Sequence, residues 1–116
     1  MSRYETELGR ISAVRGVRGA MLVSMADGLV VAESLMDGVD GRAVAALAAS
    51  LAGRLARTTA EAGLEAPRVL HLHAERGNLL AVPAAAAELL VVAVTQADAN
   101  LGLARLEMLD VAQGLG

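Results

Sequence analysis

The sequence predicts an α+β fold in which a five-stranded antiparallel sheet has one long helix on one face and two terminal helices on the other. Three observations support this class: a Val-rich hairpin near the N-terminus, a long helical stretch after it, and three strand-like runs in close succession. The connections among those three runs are too short for parallel crossovers, so the strands form an antiparallel meander. The predicted order is α-β-β-α-β-β-β-α, and residues 1–116 form a single domain.

The first helix and a hairpin make up the N-terminal third of the chain. Apolar residues recur at spacings of three and four over Tyr4–Val14, which indicates an amphipathic helix that ends at Gly16. Two apolar runs follow, Val17–Met25 and Leu29–Leu35, with Asp-Gly between them. Because glycine readily adopts the positive φ of a tight turn, this dipeptide predicts a hairpin.

The longest helix is predicted from about Asp40 to Ala62, with Asp37 or Asp40 as the N-cap and Gly63 at its end. Its residues divide into three faces, one more than a helix needs for its own fold. We expect larger residues to form a core stripe on the sheet, small residues to form a seam for another helix, and Arg-containing turns to face solvent. The predicted core stripe is Val44, Leu47, Ala48, Leu51, Leu55, Thr58 and Ala62, and the small stripe is Ala45, Ala49, Ala52 and Ala56.

The C-terminal half supplies the remaining strands and the last helix. The strands are predicted over Arg68–Glu75, Asn78–Pro83 and Glu88–Thr95, as alternating or continuous apolar runs of strand length. A final helix, capped by Asp98 or Asn100, has a broad apolar surface.

Composition excludes several kinds of chemistry. All ten basic residues are Arg and there is no Cys, so mechanisms that need a lysine amine or a thiol are excluded, as are thiolate zinc sites. A net charge of −3 and a single aromatic residue, Tyr4, argue against nucleic-acid binding. We expect no cofactor.

The chain is 55% hydrophobic, which is more apolar than an average domain. Oligomerisation explains this excess better than a membrane does, because the longest apolar stretch, Leu79–Val94, is interrupted by Pro83 and Glu88 and is shorter than the ~20 residues of a spanning helix. The polar N-terminus lacks the apolar run of a signal peptide. We therefore expect a cytoplasmic protein.

Two histidines lie close together and could in principle bind a metal ion. His71 and His73 lie two apart on one strand and project from one face together with Glu75. A strand spreads such residues by about 6–7 Å per step, and there is no third histidine, so exposed histidines at a subunit contact are favoured over a zinc site.

Other polar groups have structural interpretations. Asp37 and Asp40 lie beside a predicted helix start, where negative charge is favoured. Helix capping therefore accounts for both residues, and a role in acid–base catalysis is not predicted. Arg54 and Arg57 suggest an arginine finger, but a solvated face with an ion pair from Arg57 to Glu61 is favoured. No catalytic, cofactor-binding or metal-binding residue is predicted, and the protein is expected not to be an enzyme.

The pattern resembles the roadblock/LC7 family, which includes the dynein light chain roadblock proteins and the bacterial MglB-type regulators. Each landmark is weak alone, but their order and spacing are fairly specific, and the Asn-Leu-Gly-Leu run that opens the last helix is the most telling. The landmarks are the hairpin Gly19–Ala32, the Ala-rich helix Ala43–Ala62, the strands Gly77–Pro83 and Leu89–Val94, and the run Ala99–Glu107.

The resemblance implies a profilin-like sheet and a homodimer, or a heterodimer with a related domain. In this arrangement the strand after the long helix pairs with its copy, and the two long helices pack side by side. A two-fold contact buries the same patch on both chains and covers the edge strand. The implied interface comprises Ala45, Ala49, Ala52, Ala56, Val69, His71 and His73.

The resemblance also implies a partner. Family members commonly act as platforms or regulators of small Ras-like GTPases, and in MglB-like proteins the paired long helices meet the GTPase and promote hydrolysis. The leading hypothesis is a non-catalytic bacterial homodimer that binds such a GTPase; the alternatives are a PAS-like small-molecule sensor and a purely structural scaffold. The implied GTPase contacts are Arg42, Ala46, Ser50, Gly53, Arg54 and Arg57.

Overall fold

The computed structural model describes residues 3–84 and 88–115 and confirms the predicted fold class and element order. The long helix and the hairpin lie within a few residues of their predicted bounds. The strand after the long helix is shorter than predicted, and the last helix, whose apolar pattern was expected to run from Leu101 to Val111, extends to Leu115. The elements are α1 (Arg3–Ser12), β1 (Val17–Ser24), β2 (Val30–Leu35), α2 (Gly41–Glu61), β3 (Leu70–Ala74), β4 (Gly77–Ala84), β5 (Leu89–Thr95) and α3 (Leu101–Leu115).

The five strands form one antiparallel sheet in the order β2-β1-β5-β4-β3. β1 and β5 pair at the centre, where Ala20 lies opposite Ala93, and β2 and β3 form the two edges. Pro83, which has no N–H to donate, lies in β4 beyond the last residue paired with β3, Ala81. The strand that follows α2 is therefore an edge strand, as the family resemblance implies.

The core consists of two apolar layers, one on each face of the sheet. α1 and α3 cover the first face, where Leu8, Ile11 and Met108 are completely buried. α2 alone covers the second face, so the predicted placement of the three helices is confirmed.

α1 and α3 are also joined at the surface. The Arg10 guanidinium donates to Asp110 Oδ2 at 2.6 Å and to Glu107 Oε1 at 2.9 Å, and these bonds raise the pKa of Arg10. Since all three groups are solvent-accessible, the pairs align the helices more than they stabilise the fold.

The turns around α2 are built as predicted. Asp40, not Asp37, is the N-cap, because its Oδ1 accepts from the Ala43 N–H at 3.1 Å. In the hairpin turn, Gly28 has φ 72° and lies against α2, where an added Cβ would meet the Ala49 Cβ at 3.4 Å. The turn and the middle of α2 therefore fit together closely.

The two apolar stripes of α2 differ in part from the prediction, although Val44 and Ala48 do pack in the core as expected. Ala45, Ala48 and Ala52 are buried on the sheet, whereas Leu47 and Leu55 are 45% and 36% exposed. The prediction that Leu47 and Leu55 belong to the core is wrong, and so is the prediction that Ala45 and Ala52 are free for another helix. The reason is size, because the sheet presents large side chains to α2 and close packing then requires small ones on the helix. The large side chains of this layer are Met21, Val23, Leu70, Leu79, Leu90 and Val92.

Candidate interaction surface

β3 is an open edge of the sheet. Within the described residues it pairs with β4 alone, so the outer side of its backbone has no strand partner. Leu70 is buried, and the other four residues of the strand are exposed. Because an uncovered edge strand offers its N–H and C=O groups to another chain, β3 is suited to strand pairing.

An exposed apolar stripe on α2 adjoins this edge. We call Leu47, Leu51 and Leu55 the leucine flank; Leu51 is half-buried and the other two are exposed. Leu72 of β3 is 40% exposed. It lines a cavity of about 370 Å³ together with Leu47 of α2. Leu47 of the leucine flank and Leu72 of the β3 edge therefore border one cavity, which brings apolar side chains close to the open backbone of β3.

The outer face of α2 is basic although the chain is acidic. α2 contains three Arg and one Glu, a net charge of +2, whereas the whole chain has a net charge of −3. Arg57 and Glu61 do not form the predicted ion pair; among the described residues, the ion pairs are those of Arg10. The six predicted GTPase contacts are all exposed: Arg42, Ala46, Ser50, Gly53, Arg54 and Arg57.

His71 and His73 share one hydrogen-bond acceptor. His71 Nε2 and His73 Nδ1 each lie 2.8 Å from Asn78 Oδ1, and their ring centroids are 6.3 Å apart with an interplanar angle of 67°. Asn78 is 3% exposed, and its amide nitrogen donates to Thr95 Oγ1 and to the Gln96 carbonyl, both at 3.3 Å. The network thus runs from β3 through β4 to the end of β5.

This network fixes the protonated nitrogen of each neutral imidazole. The Gln96 carbonyl can only accept, so the Asn78 nitrogen faces it and the Asn78 oxygen faces the histidines. Each histidine must then donate to that oxygen, His71 from Nε2 and His73 from Nδ1. In the neutral forms, lone pairs remain on His71 Nδ1 and His73 Nε2.

The structure separates the predicted interface residues into two groups. Ala45 and Ala52 pack on the sheet inside one chain and have almost no surface for a partner, so their assignment to a helix–helix seam is wrong. Ala49 is half-buried and Ala56 is exposed. Val69 is half-buried against the α1–α3 layer, and His71 and His73 are exposed on the same side of β3, opposite to the side on which Leu72 faces α2.

Sequence reasoning missed the leucine flank and Leu72 as exposed apolar residues. Helical periodicity shows that two stripes exist on α2 but not which of them faces the sheet. A signal was available in the strands, whose large apolar residues on one face favour small residues on the helix that covers them.

A metal-binding cluster and a membrane-spanning helix are both absent from the described residues, and a further cavity is present. They contain no group of three or more His, Cys, Asp or Glu side chains able to hold a metal ion. No helix among them is long and apolar enough to cross a membrane. A cavity of about 390 Å³ lies under the C-terminal half of α2, lined mainly by apolar residues such as Met25, Ala52 and Leu70.

Comparison with known proteins identifies relatives in sequence. The family model described as "Roadblock/LC7 domain" matches residues 3–93. An uncharacterized protein of the archaeon Methanocaldococcus jannaschii is 36% identical over 107 residues, which are 92% of this chain and 88% of that protein. A second uncharacterized protein of the same archaeon is 37% identical over 98 residues, 84% of this chain and 83% of its own length.

Solved structures share the fold. A Roadblock/LC7 domain from Streptomyces avermitilis superposes with a TM-score of 0.85 at 19% identity, covering 98% of this chain and 95% of that one. The gliding protein MglB of Thermus thermophilus superposes with a TM-score of 0.84 at 22% identity, covering 97% and 85%. The sequence matches, supported by this common fold, lead to one conclusion: the chain belongs to the Roadblock/LC7 domain family.

Proposed function

We propose that the chain is a non-catalytic, cytoplasmic homodimer that serves as a platform for a small Ras-like GTPase. The observation that carries the proposal is the position of the exposed basic face of α2, which lies beside an apolar flank and an open edge strand. The basic face suits contact with a GTPase. The apolar flank and the open edge strand suit self-association.

The dimer would form through β3 and the leucine flank. Pairing β3 with its copy satisfies the outer backbone groups of both strands. Leu47, Leu55 and Leu72, which are 36–45% exposed in the single chain, then become covered by the same residues of the other copy. The long helices lie side by side in this arrangement, as the family resemblance implies, but Leu side chains form the seam in place of Ala.

The GTPase would bind on the outer face of the paired α2 helices. In each helix, Arg54 and Arg57 are exposed and form no ion pair with any described residue, so binding an acidic surface breaks no pair seen there. Doubling α2 in a dimer doubles its local charge of +2 and favours rapid encounter with an acidic partner. The resemblance to MglB-type regulators supports the same choice of partner.

Charge reversal tests the GTPase proposal. The chain is immobilised and offered the small GTPases of its source organism, loaded with GDP or with a GTP analogue. We expect nucleotide-sensitive capture, lost in the double variant Arg54→Glu/Arg57→Glu and retained in Arg15→Glu/Arg105→Glu. The control variant changes the charge by the same amount at exposed positions away from α2. Capture of no nucleotide-sensitive partner would refute the proposal, and a dimer without such a partner would favour the scaffold.

A PAS-like sensor is the second candidate, and the cavity under α2 is the observation that favours it. Its volume of about 390 Å³ falls within the range of small-molecule sites. Native mass spectrometry of the protein purified from its source tests this function. A retained apolar small molecule would support the sensor, and a mass equal to that of the chain alone would contradict it.

A further inference from the structure

The two histidines of β3 have a feature that strand pairing does not require. Each leaves one imidazole nitrogen with a lone pair, and both direct their N–H groups to Asn78 Oδ1. A histidine that binds a metal commonly donates its other N–H to a neighbouring oxygen, which fixes the tautomer and the ring orientation. Asn78, held in place by Thr95 and Gln96, already supplies that support for both rings.

One chain has too few ligands, but a dimer through β3 would have four. In a two-fold dimer with a continuous sheet, α2 lies on the same face of both halves. Opposed residues of antiparallel strands share a face, so odd-numbered residues of β3 lie opposite odd-numbered residues of its copy. In the register centred on Leu72, the middle residue of β3, His71 of each strand lies opposite His73 of the other.

The distances suit a compact ligand set. Opposed residues on paired strands have Cβ atoms about 4.5–5.5 Å apart. Two imidazoles that bind one tetrahedral zinc ion through bonds of about 2.0 Å have ring centroids about 5 Å apart. The observed separation within one chain is 6.3 Å, so the two rings must approach each other by about 1 Å to share one ion.

We propose that two copies of the chain assemble a four-imidazole site at their two-fold axis, from His71 and His73 of each copy, that binds a borderline divalent ion such as Zn²⁺. The chemical class follows from the ligands, because neutral imidazole suits zinc, copper and nickel, and carboxylate or carbonyl oxygens suit magnesium and calcium. The ion would clamp the two β3 strands together. The site rests on the proposed dimer and changes nothing in the proposed contact with the GTPase.

Zinc titration of the metal-free full-length chain tests the site. Light scattering in EDTA reports the dimer, and calorimetry with ZnCl₂ reports the stoichiometry and affinity of zinc binding. We expect a dimer in EDTA and one zinc ion per two chains. His71→Ala and His73→Ala should each weaken zinc binding at least about a hundredfold, since even a supporting group contributes ten- to a hundredfold. Glu33→Ala, a change at an exposed carboxylate on β2, the opposite edge of the sheet, should leave zinc binding unchanged.

The results separate the site from the dimer on which it rests. A dimer in EDTA that takes up no zinc at 100 µM, a concentration on the order of weak-site affinities, would overturn the metal site and leave the proposed function intact. Zinc binding of equal strength in both histidine variants would also overturn it, because surface carboxylates would then be the ligands. A chain that stays monomeric with and without zinc would overturn the proposed dimer itself.

Discussion

Substitution of Leu47 by Glu tests the leucine flank. Leu47 is 45% exposed in the single chain, and complete burial of a Leu side chain contributes about 1.5–3 kcal/mol. Covering its remaining surface therefore contributes about 1 kcal/mol per chain. A carboxylate in the seam adds a desolvation cost of at least about 1 kcal/mol. Because each substitution occurs twice in a two-fold dimer, the total is about 4 kcal/mol, or roughly a thousandfold in Kd.

Sedimentation velocity over a concentration series measures this change. Leu47→Glu should move the monomer–dimer midpoint upward by about three decades, in proportion to that loss of free energy. Ser50→Glu adds the same charge on the outer face of the same helix and should leave the midpoint unchanged. Circular dichroism confirms that both variants are folded. Equal midpoints for wild type and Leu47→Glu would refute the reasoning that the leucine flank is the seam.

Three further substitutions test the fold by thermal unfolding. Ala48→Leu should destabilise by about 1–3 kcal/mol, because Ala48 has no exposed surface against the sheet, whereas Ala46→Leu on the exposed side should be nearly neutral; equal effects would contradict the assignment of the buried face. Asp40→Ala should cost about 1 kcal/mol through loss of the cap, and Asp37→Ala much less; the reverse order would place the cap elsewhere. Asn78→Ala should cost about 1–3 kcal/mol, because Thr95 and the Gln96 carbonyl lose a buried donor, and an unchanged Tm would contradict the network.

Much of the fold was predictable from local signals. The turn around Gly28, the cap at Asp40 and the apolar runs of the strands each depend on neighbouring residues; the turn and the runs were identified, and Asp40 was one of two candidates for the cap. The element order followed from these signals, since short connections leave the last three strands only an antiparallel arrangement.

The face of α2 that meets the sheet was not predictable from the helix alone. Leu residues are usually buried, so the stripe that contains Leu47 and Leu55 was expected to pack in the core. Packing depends on both surfaces, however, and the large residues that the strands present leave room only for Ala45, Ala48 and Ala52. The assignment of Ala45 and Ala52 to a helix–helix seam is wrong for the same reason.

The candidate site was predicted in outline. The edge strand with its two exposed histidines and the exposed Arg residues of α2 lie where they were expected. The convergence of both imidazoles on Asn78 was not predicted, because the cross-strand register that brings Asn78 beside His73 is a long-range property of the sheet.

The most direct test of the central claim is calorimetric titration of the wild-type chain with a small GTPase of its source organism in both nucleotide states. The account predicts that two copies of the chain are present in the complex and that the affinity differs between the GTP and GDP states by at least about tenfold, a coupling of ~1.4 kcal/mol. Binding of equal strength in both states, or no binding by any of these GTPases, would contradict it.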